Sequence, residues 1–209
     1  MRAEPYGRDA VLLHLDDAAQ VRAWHAAVAA ARSDGTLGDV ADIVPGEHTL
    51  VVLGVPDHGD APRLLAALAA LDPPAAPATA PITSEVIEIP VRYDGEDLDE
   101  VAARTGLQRD EVVRLHHEAM YDVAFCGFAP GFAYLTGLPE ALHLPRRDTP
   151  RPRVPAGSVA IATGYSGVYP QASPGGWWLL GRTDLRMFDP ARTPPALLEP
   201  GGRVRFTIA

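Results

Sequence analysis

Hydrophobic positions in the N-terminal third of the chain recur with the periods of strands and helices. Some segments alternate with a period of two, as half-buried strands do, and two longer ones carry apolar residues every three or four positions, as helices do. In chain order, the pattern predicts a strand at Asp9–Leu15, a helix ending near Arg32, strands at Asp39–Val44 and Thr49–Leu53, a helix from Asp60, and a strand at Val86–Val91 whose sheet is left open. The order β-α-β-β-α predicts a ferredoxin-like α/β sandwich.

A segment rich in proline and alanine separates this pattern from the rest of the chain. The sequence DPPAAPATAP at 72–81 has four prolines in ten residues, which is typical of a stiff, extended linker. We therefore expect two domains. The first covers residues 1–82 and ends in this linker, and the second covers residues 83–209.

The second domain is predicted to be a barrel. Val154–Asp184 contains short β-prone runs separated by glycine and proline, and an alternating strand follows at Arg203–Ile208. Two short helices are predicted at Asp97–Thr105 and Gln108–Glu118. Many short strands joined by short turns are typical of a closed β-barrel, so the whole chain is predicted to be α+β.

The glycines of the barrel region have two interpretations. Glycine is favoured where the backbone adopts a positive φ or lies close to another group, so these glycines predict a pocket that recognises a polar ligand partly through main-chain groups. The alternative is that they serve only the tight corners of a barrel. We favour the pocket, and its candidate lining residues are Gly157, Ser158, Tyr169, Gln171, Trp177 and Arg182.

The charge of the chain is unevenly distributed. The net charge is −9, yet residues 141–209 carry nine arginines and only four acidic groups. An acidic protein is a poor nucleic-acid binder, which argues against that class of partner. The basic C-terminal third suits a small anionic substrate or an acidic protein surface, although charges scattered over unrelated faces would have the same composition.

Several residue types are rare or absent, and each absence excludes a kind of site. The chain has no lysine, so neither a P-loop lysine nor a Schiff-base lysine is available. The single cysteine, Cys126, rules out an internal disulfide and a multi-cysteine metal site, and no metal is expected. No apolar run approaches a membrane span and no signal core is visible, so we expect a cytoplasmic protein without membrane contact.

Candidate chemistry lies in one histidine and one basic segment. His116 is in helical phase with Val112 and so faces inward, where a histidine can serve a catalytic or ligand-orienting role, although a structural role is the default. The proline-rich segment 146–153 carries Arg147 and Arg153. Because the planar guanidinium group matches carboxylate and phosphate, these two arginines and Arg182 are candidate anion-binding residues.

Four ordered motifs carry a resemblance to a known family: GFAPGFAYLTGLP (127–139), PRRDTPRPRVPAGSVAI (145–161), GVYPQASPGGWWLLGRTD (167–184) and LLEPGGRVRF (197–206). Together they resemble allophanate hydrolase subunit 1, a family that includes the B subunit of 5-oxoprolinase and the sporulation-kinase inhibitor KipI. The resemblance implies a small α/β domain followed by a cyclophilin-like β-barrel. One departure is Tyr165, which stands where the family often has glutamine.

The resemblance also implies a component of a larger enzyme. Family members pair with a homologous barrel protein, the C subunit, and a lactam-opening protein, the A subunit, completes the ATP-dependent conversion of 5-oxoproline to glutamate. ATP is accordingly an expected cofactor, bound together with the partner protein. This chain has no P-loop and no G-x-S-x-G elbow, so we expect it to be inactive alone. The alternatives are allophanate or urea amide hydrolysis, and a KipI-type module that inhibits a sensor histidine kinase.

The chemistry of the side chains and the family resemblance together predict roles for individual residues. We expect His116, Arg147 and Arg182 to be catalytic. The residues expected to bind substrate are Arg153, Gly157, Ser158, Tyr169, Gln171 and Trp177.

Overall fold

The computed structural model describes residues 1–55, 60–71 and 85–209. The chain forms two compact units, Met1–Pro81 and Ile82–Ala209. The proline- and alanine-rich segment 72–81, where the sequence predicts the linker, lies outside the described residues. Each unit is therefore described by itself.

The first unit is a four-stranded antiparallel sheet with two helices, and the strands and helices predicted between Asp9 and Ala69 are confirmed. Its sheet order is β1-β2-β4-β3. The elements are β1 (Arg2–Pro5), β2 (Ala10–His14), α1 (Ala18–Ser33), β3 (Val40–Pro45), β4 (Thr49–Gly54) and α2 (Ala61–Ala69).

The edge strand β1 was not predicted from the sequence. Its residues, RAEP, carry no alternation of apolar positions, and it pairs with β2 in the place where a last ferredoxin strand would lie. The strand at Val86–Val91, whose sheet the sequence leaves open, belongs instead to the second unit.

A single apolar core holds the first unit together. Helix α1 begins after Asp17, whose side chain accepts a hydrogen bond of 2.7 Å from the main-chain N–H of Gln20. Its buried stripe packs with alternate residues of β2 and β4. The core residues are Val11, Leu13, Val21, Trp24, Val28, Leu50, Val52, Leu64 and Leu68.

The second unit is built on a seven-stranded sheet of order β12-β9-β10-β7-β6-β13-β5, in which only the β13–β5 pair is parallel. Strands β8 and β11 form a separate antiparallel pair. The elements are β5 (Val86–Val91), α3 (Leu98–Thr105), α4 (Arg109–Glu118), β6 (Met120–Cys126), β7 (Ala133–Thr136), β8 (Arg151–Val154), β9 (Ser158–Ala162), β10 (Tyr165–Val168), β11 (Ser173–Gly175), β12 (Trp178–Arg182) and β13 (Arg203–Ile208).

The chain just after β5 meets β12 and nearly closes the sheet into a barrel. Arg92 and Arg182 exchange two backbone hydrogen bonds of 2.9 Å, and the N–H of Gly95 donates to the carbonyl oxygen of Leu180 over 3.1 Å. The predicted α+β class with a C-terminal barrel is thus confirmed. Residues of the strands, α3 and α4 fill one core, including Ile89, Val91, Leu98, Val112, Tyr121, Leu135, Ile161, Leu180 and Phe206.

Helices of the described residues are all too short or too polar to cross a membrane.

Candidate functional site

The closure of the barrel places two copies of the pattern R-x-D against each other. The copies are Arg92-Tyr93-Asp94 and Arg182-Thr183-Asp184, and we call their pairing the seam. Two arginines directly opposite each other on antiparallel strands repel. Here each guanidinium pairs with the aspartate of the other strand: Arg92 contacts both carboxylate oxygens of Asp184 at 3.1 Å, and Arg182 contacts Asp94 at 2.8 Å. Crossed ion pairs thereby offset the repulsion.

Two glycines allow the strands of the seam to approach this closely. A Cβ atom added to Gly95 would overlap the backbone of Leu179 and Leu180, and one added to Gly181 would overlap the carbonyl group of Arg92. Neither glycine has a positive φ, so close approach and not backbone conformation requires them here. The seam therefore depends on the sequences RYDG and GRTD.

A groove of about 440 Å³ lies along the outer face of the seam, and we call it the seam groove. It contains two guanidinium groups, three carboxylates and two hydroxyl groups, so it is strongly polar with charges of both signs. Its lining residues are Arg92, Asp94, Gly95, Glu96, Pro155, Ala156, Ser158, Leu179, Gly181, Arg182, Thr183 and Asp184.

Beneath the seam, Tyr93 connects to the barrel interior through His116. The hydroxyl of Tyr93 lies 2.8 Å from Nδ1 of His116, and the Oγ of Ser166 lies 2.8 Å from Nε2. We assign the proton of the imidazole to Nε2, because Tyr93 can then donate to Nδ1, His116 to Ser166, and Ser166 to the carbonyl oxygen of Ala160 at 3.4 Å. Every polar hydrogen of this hydrogen-bonded series then has an acceptor.

His116 is fully buried and uncharged at neutral pH. Burial, and secondarily the neighbouring His117, lower the pKa of His116 to about 3. Its ring also packs against Tyr121 and Phe206. The predicted inward orientation is confirmed, and the contacts suit the orienting role better than proton transfer to a ligand.

Beyond Gly95, the buried Asp97 joins the segment after β5 to strand β12. One carboxylate oxygen accepts hydrogen bonds from Arg147 at 2.8 Å and Arg151 at 2.6 Å, and the other accepts the N–H of Leu179 at 2.7 Å. The guanidinium of Arg147 also lies over the ring of Trp178, with 4.9 Å to its centroid. Arg147, whose side chain is 25% exposed, therefore holds a buried carboxylate.

The remaining predicted site residues lie outside the groove lining. Gly157, with φ of 79°, sits between the lining residues Ala156 and Ser158, and its carbonyl accepts the N–H of Thr183 at 2.8 Å. Tyr169 and Trp177 are buried in an aromatic cluster around Phe132. Burial is the main reason why the pKa of Tyr169 is raised.

Arg153 and Gln171 are exposed and do not line the seam groove. Of the nine predicted residues, the structure thus brings only Ser158 and Arg182 into the groove lining, with Gly157 beside them. Arg92, Asp94 and Asp184 were not identified from the sequence, although the repeat of R-x-D followed or preceded by glycine was visible there. Across the described residues, no three His, Cys, Asp or Glu side chains are grouped as metal ligands.

Comparisons with known proteins agree with this architecture. The chain is 57% identical over 126 residues to a protein named as the B subunit of 5-oxoprolinase from Escherichia coli O157:H7, covering 59% of this chain and 58% of that protein. It is 46% identical over 128 residues to the protein of the same name from Bacillus subtilis (strain 168), covering 60% of this chain and 53% of that protein. The chain thus spans a little over half the length of these relatives.

A crystal structure of the protein TTHA0988 superposes on 96% of this chain and 40% of that chain, with a TM-score of 0.78 and 43% sequence identity. The family described as carboxyltransferase domain, subdomains C and D, matches residues 1–198. The chain therefore belongs to the family of the carboxyltransferase domain, subdomains C and D.

Proposed function

We propose that this chain is the B subunit of an ATP-dependent 5-oxoprolinase complex, which converts 5-oxo-L-proline, ATP and water to L-glutamate, ADP and phosphate. The observation that carries the proposal is the 57% identity with a protein named as the B subunit of 5-oxoprolinase. The seam groove supports it, because arginines beside hydroxyl and carboxylate groups suit a small molecule that has both a carboxylate and an amide.

The chain contributes substrate recognition and not the complete chemistry. A lactam is a poor electrophile because of amide resonance, which is why the proposed reaction consumes ATP. The serine–histidine pair described above, Ser166 with His116, is fully buried and cannot reach a substrate. The catalytic groups that this chain lacks come from partner proteins.

Two clefts among the described residues of the barrel unit do not fit a nucleoside triphosphate. Each of the three carboxylates of the seam groove is paired with a guanidinium group, Glu96 with that of Arg151, so the groove offers no excess of positive charge to a polyanion. A second cleft beside Trp178 contains Arg104, Arg146 and Arg147, but its volume of about 190 Å³ is small for a nucleotide. We therefore assign ATP binding to the partner proteins.

The proposed partners are a homologous barrel protein, the C subunit, and a lactam-opening protein, the A subunit. In this assignment Arg182 binds the substrate, Gly157 and Ser158 shape the groove, and His116 orients the seam through Tyr93. No observation favours a kinase-inhibiting or an allophanate-hydrolysing protein over the oxoprolinase component.

Reconstitution tests the proposal. We expect 5-oxoproline-dependent phosphate release from the complete set of three proteins, and none from this chain alone or from the set without it. Turnover by the isolated chain would contradict the assignment of missing groups to partners. An inactive complete set, with each protein shown to be folded, would contradict the proposed function.

A further inference from the structure

We infer that the seam groove is a binding site for a small monocarboxylate with a neighbouring amide, and that the ligand enters by displacing an aspartate from its arginine. The inference rests on the proposed function and names the part of the substrate that this chain recognises. The carboxylate of the ligand takes the place of Asp184 on Arg92 and is shared with Arg182, whose backbone is hydrogen-bonded to that of Arg92.

In both crossed ion pairs, a carboxylate from solution can replace the aspartate. The side chains of Arg92 and Asp184 are 49% and 88% exposed, and those of Arg182 and Asp94 are 58% and 46% exposed. Ion pairs at such exposure stabilise a protein only weakly, so a carboxylate in solution competes with them. The pairs made by Asp97 differ, because its side chain is only 3% exposed.

Main-chain hydrogen bonds keep the two arginines at the groove independently of their side-chain partners. Arg92 and Arg182 are locked to each other by two main-chain hydrogen bonds, and the residue after Arg92, Tyr93, is anchored to His116. Loss of an aspartate partner therefore leaves each guanidinium beside the groove. The planar guanidinium fork is itself pre-organised, so an arginine loses less freedom per hydrogen bond when it binds a carboxylate, which favours ligand exchange at this site.

The rest of the groove matches the amide of such a ligand. Ser158 lines the groove and is 6% exposed, and its hydroxyl makes no hydrogen bond to any residue that the structure describes. It is available to donate to a ligand carbonyl oxygen. Glu96, one oxygen of which pairs with Arg151 at 2.7 Å, and Asp94 both have lone pairs left to accept a ligand N–H. A second carboxylate on the ligand would be repelled by these same acidic groups.

Ligand titrations of the full-length chain, followed by NMR of ¹⁵N-labelled protein, test the site. We expect 5-oxo-L-proline to shift the amide signals of Gly95, Gly181 and Arg182 in a saturable way. The lactam without a carboxylate, 2-pyrrolidinone, should bind at least about tenfold more weakly, because it lacks the charged hydrogen bonds. Equal affinity for the two compounds, or shifts that avoid these residues, would overturn the inference.

Substitutions separate ligand exchange from a structural role. Arg92→Gln and Arg182→Gln should each weaken binding of 5-oxo-L-proline about tenfold or more. Asp184→Asn removes the internal competitor of the ligand and should tighten binding about two- to fivefold. Arg205→Gln is the matched control, since Arg205 also pairs with a carboxylate, that of Glu88, but lies outside the groove lining. The Arg205→Gln protein should bind 5-oxo-L-proline with unchanged affinity.

Weaker binding by the Asp184→Asn protein would show that the ion pair shapes the groove and does not compete with the ligand, and it would overturn the inference. The proposed function fails separately. Saturable binding in the groove together with an inactive complete complex would contradict only the function. Full activity of a complex carrying both Arg92→Gln and Arg182→Gln would contradict only the inference.

Discussion

The hydroxyl oxygen of Ser166 lies 2.8 Å from Nε2 of His116, and neither residue is exposed to solvent. A serine hydrogen-bonded to a histidine has the geometry of an activated nucleophile. Here the same geometry serves packing, because the pair connects β10 to helix α4 inside the barrel and continues to Tyr93 at the seam. The network links the barrel core to the segment just after β5 that carries Arg92 and Asp94.

The burial of His116 makes stability depend on pH. The pKa of His116 is lowered in the folded protein to about 3, against 6.5 for the free side chain. Between these values the unfolded chain binds a proton that the folded chain does not. The free energy of unfolding should therefore fall as pH drops below 6.5, by up to about 1.4 kcal/mol per pH unit from this residue.

Urea unfolding at pH 5, 6, 7 and 8 checks this. The His116→Gln protein should show a shallower loss below pH 6.5 than the original chain, and the two curves should run parallel above pH 7. If the two slopes are the same at pH 5 to 6, another group causes the acid sensitivity.

Arg147 and Arg182 should respond differently to replacement by alanine. Arg147→Ala leaves the buried carboxylate of Asp97 with one guanidinium fewer, so we expect a loss of about 1–3 kcal/mol in the free energy of unfolding. Arg182→Ala breaks a half-exposed pair and should cost less than about 1 kcal/mol. Denaturant unfolding of the two proteins measures the difference. Equal losses would mean that the Asp97 network is not the stronger of the two.

Closure of the barrel should be sensitive to Gly95. Because a Cβ atom there would overlap the backbone of β12, Gly95→Ala should lower the free energy of unfolding by about 1–3 kcal/mol and speed amide exchange at Leu180 and Arg182. Gly127→Ala is the matched control, since its Cβ would meet only a ring carbon of Tyr134 at 4.0 Å. An equal effect of both substitutions would argue against a close approach at the seam.

The barrel unit should fold without the first unit. Each unit has its own apolar core, so a fragment that starts at Thr83 is expected to unfold cooperatively on heating. Calorimetry of the fragment beside the full chain tests this. The lack of a cooperative transition would place the domain boundary elsewhere.

Local pattern predicted most of the fold, and long-range pairing explains what it left out. The helices and most strands follow from periodicity, whereas β1 has too few apolar residues to be recognised. Local pattern cannot show which sheet contains β5, because its partner strand β13 lies far along the chain. It cannot show the seam groove either, because Arg92 and its partner Asp184 are 92 positions apart. Arg182 and Ser158 were found from glycine-rich motifs, but Asp94, the ionic partner of Arg182, could not be. Arg147 was predicted to bind an anion because it lies in a basic, proline-rich segment, and the sequence does not show its pairing with Asp97, 50 positions away.

The parallel pairing of β5 with β13 also determines the order in which the barrel can be completed. Arg205 and Glu88 lie opposite each other in this pair and are 117 positions apart. Strand β5 therefore cannot pair with β13 until the ribosome has synthesised all of the chain between them. Contacts of such separation make folding slow. During synthesis on the ribosome, β5 and β6 keep unpaired edges that other chains can join, so this protein is expected to need protection from aggregation until β13 emerges.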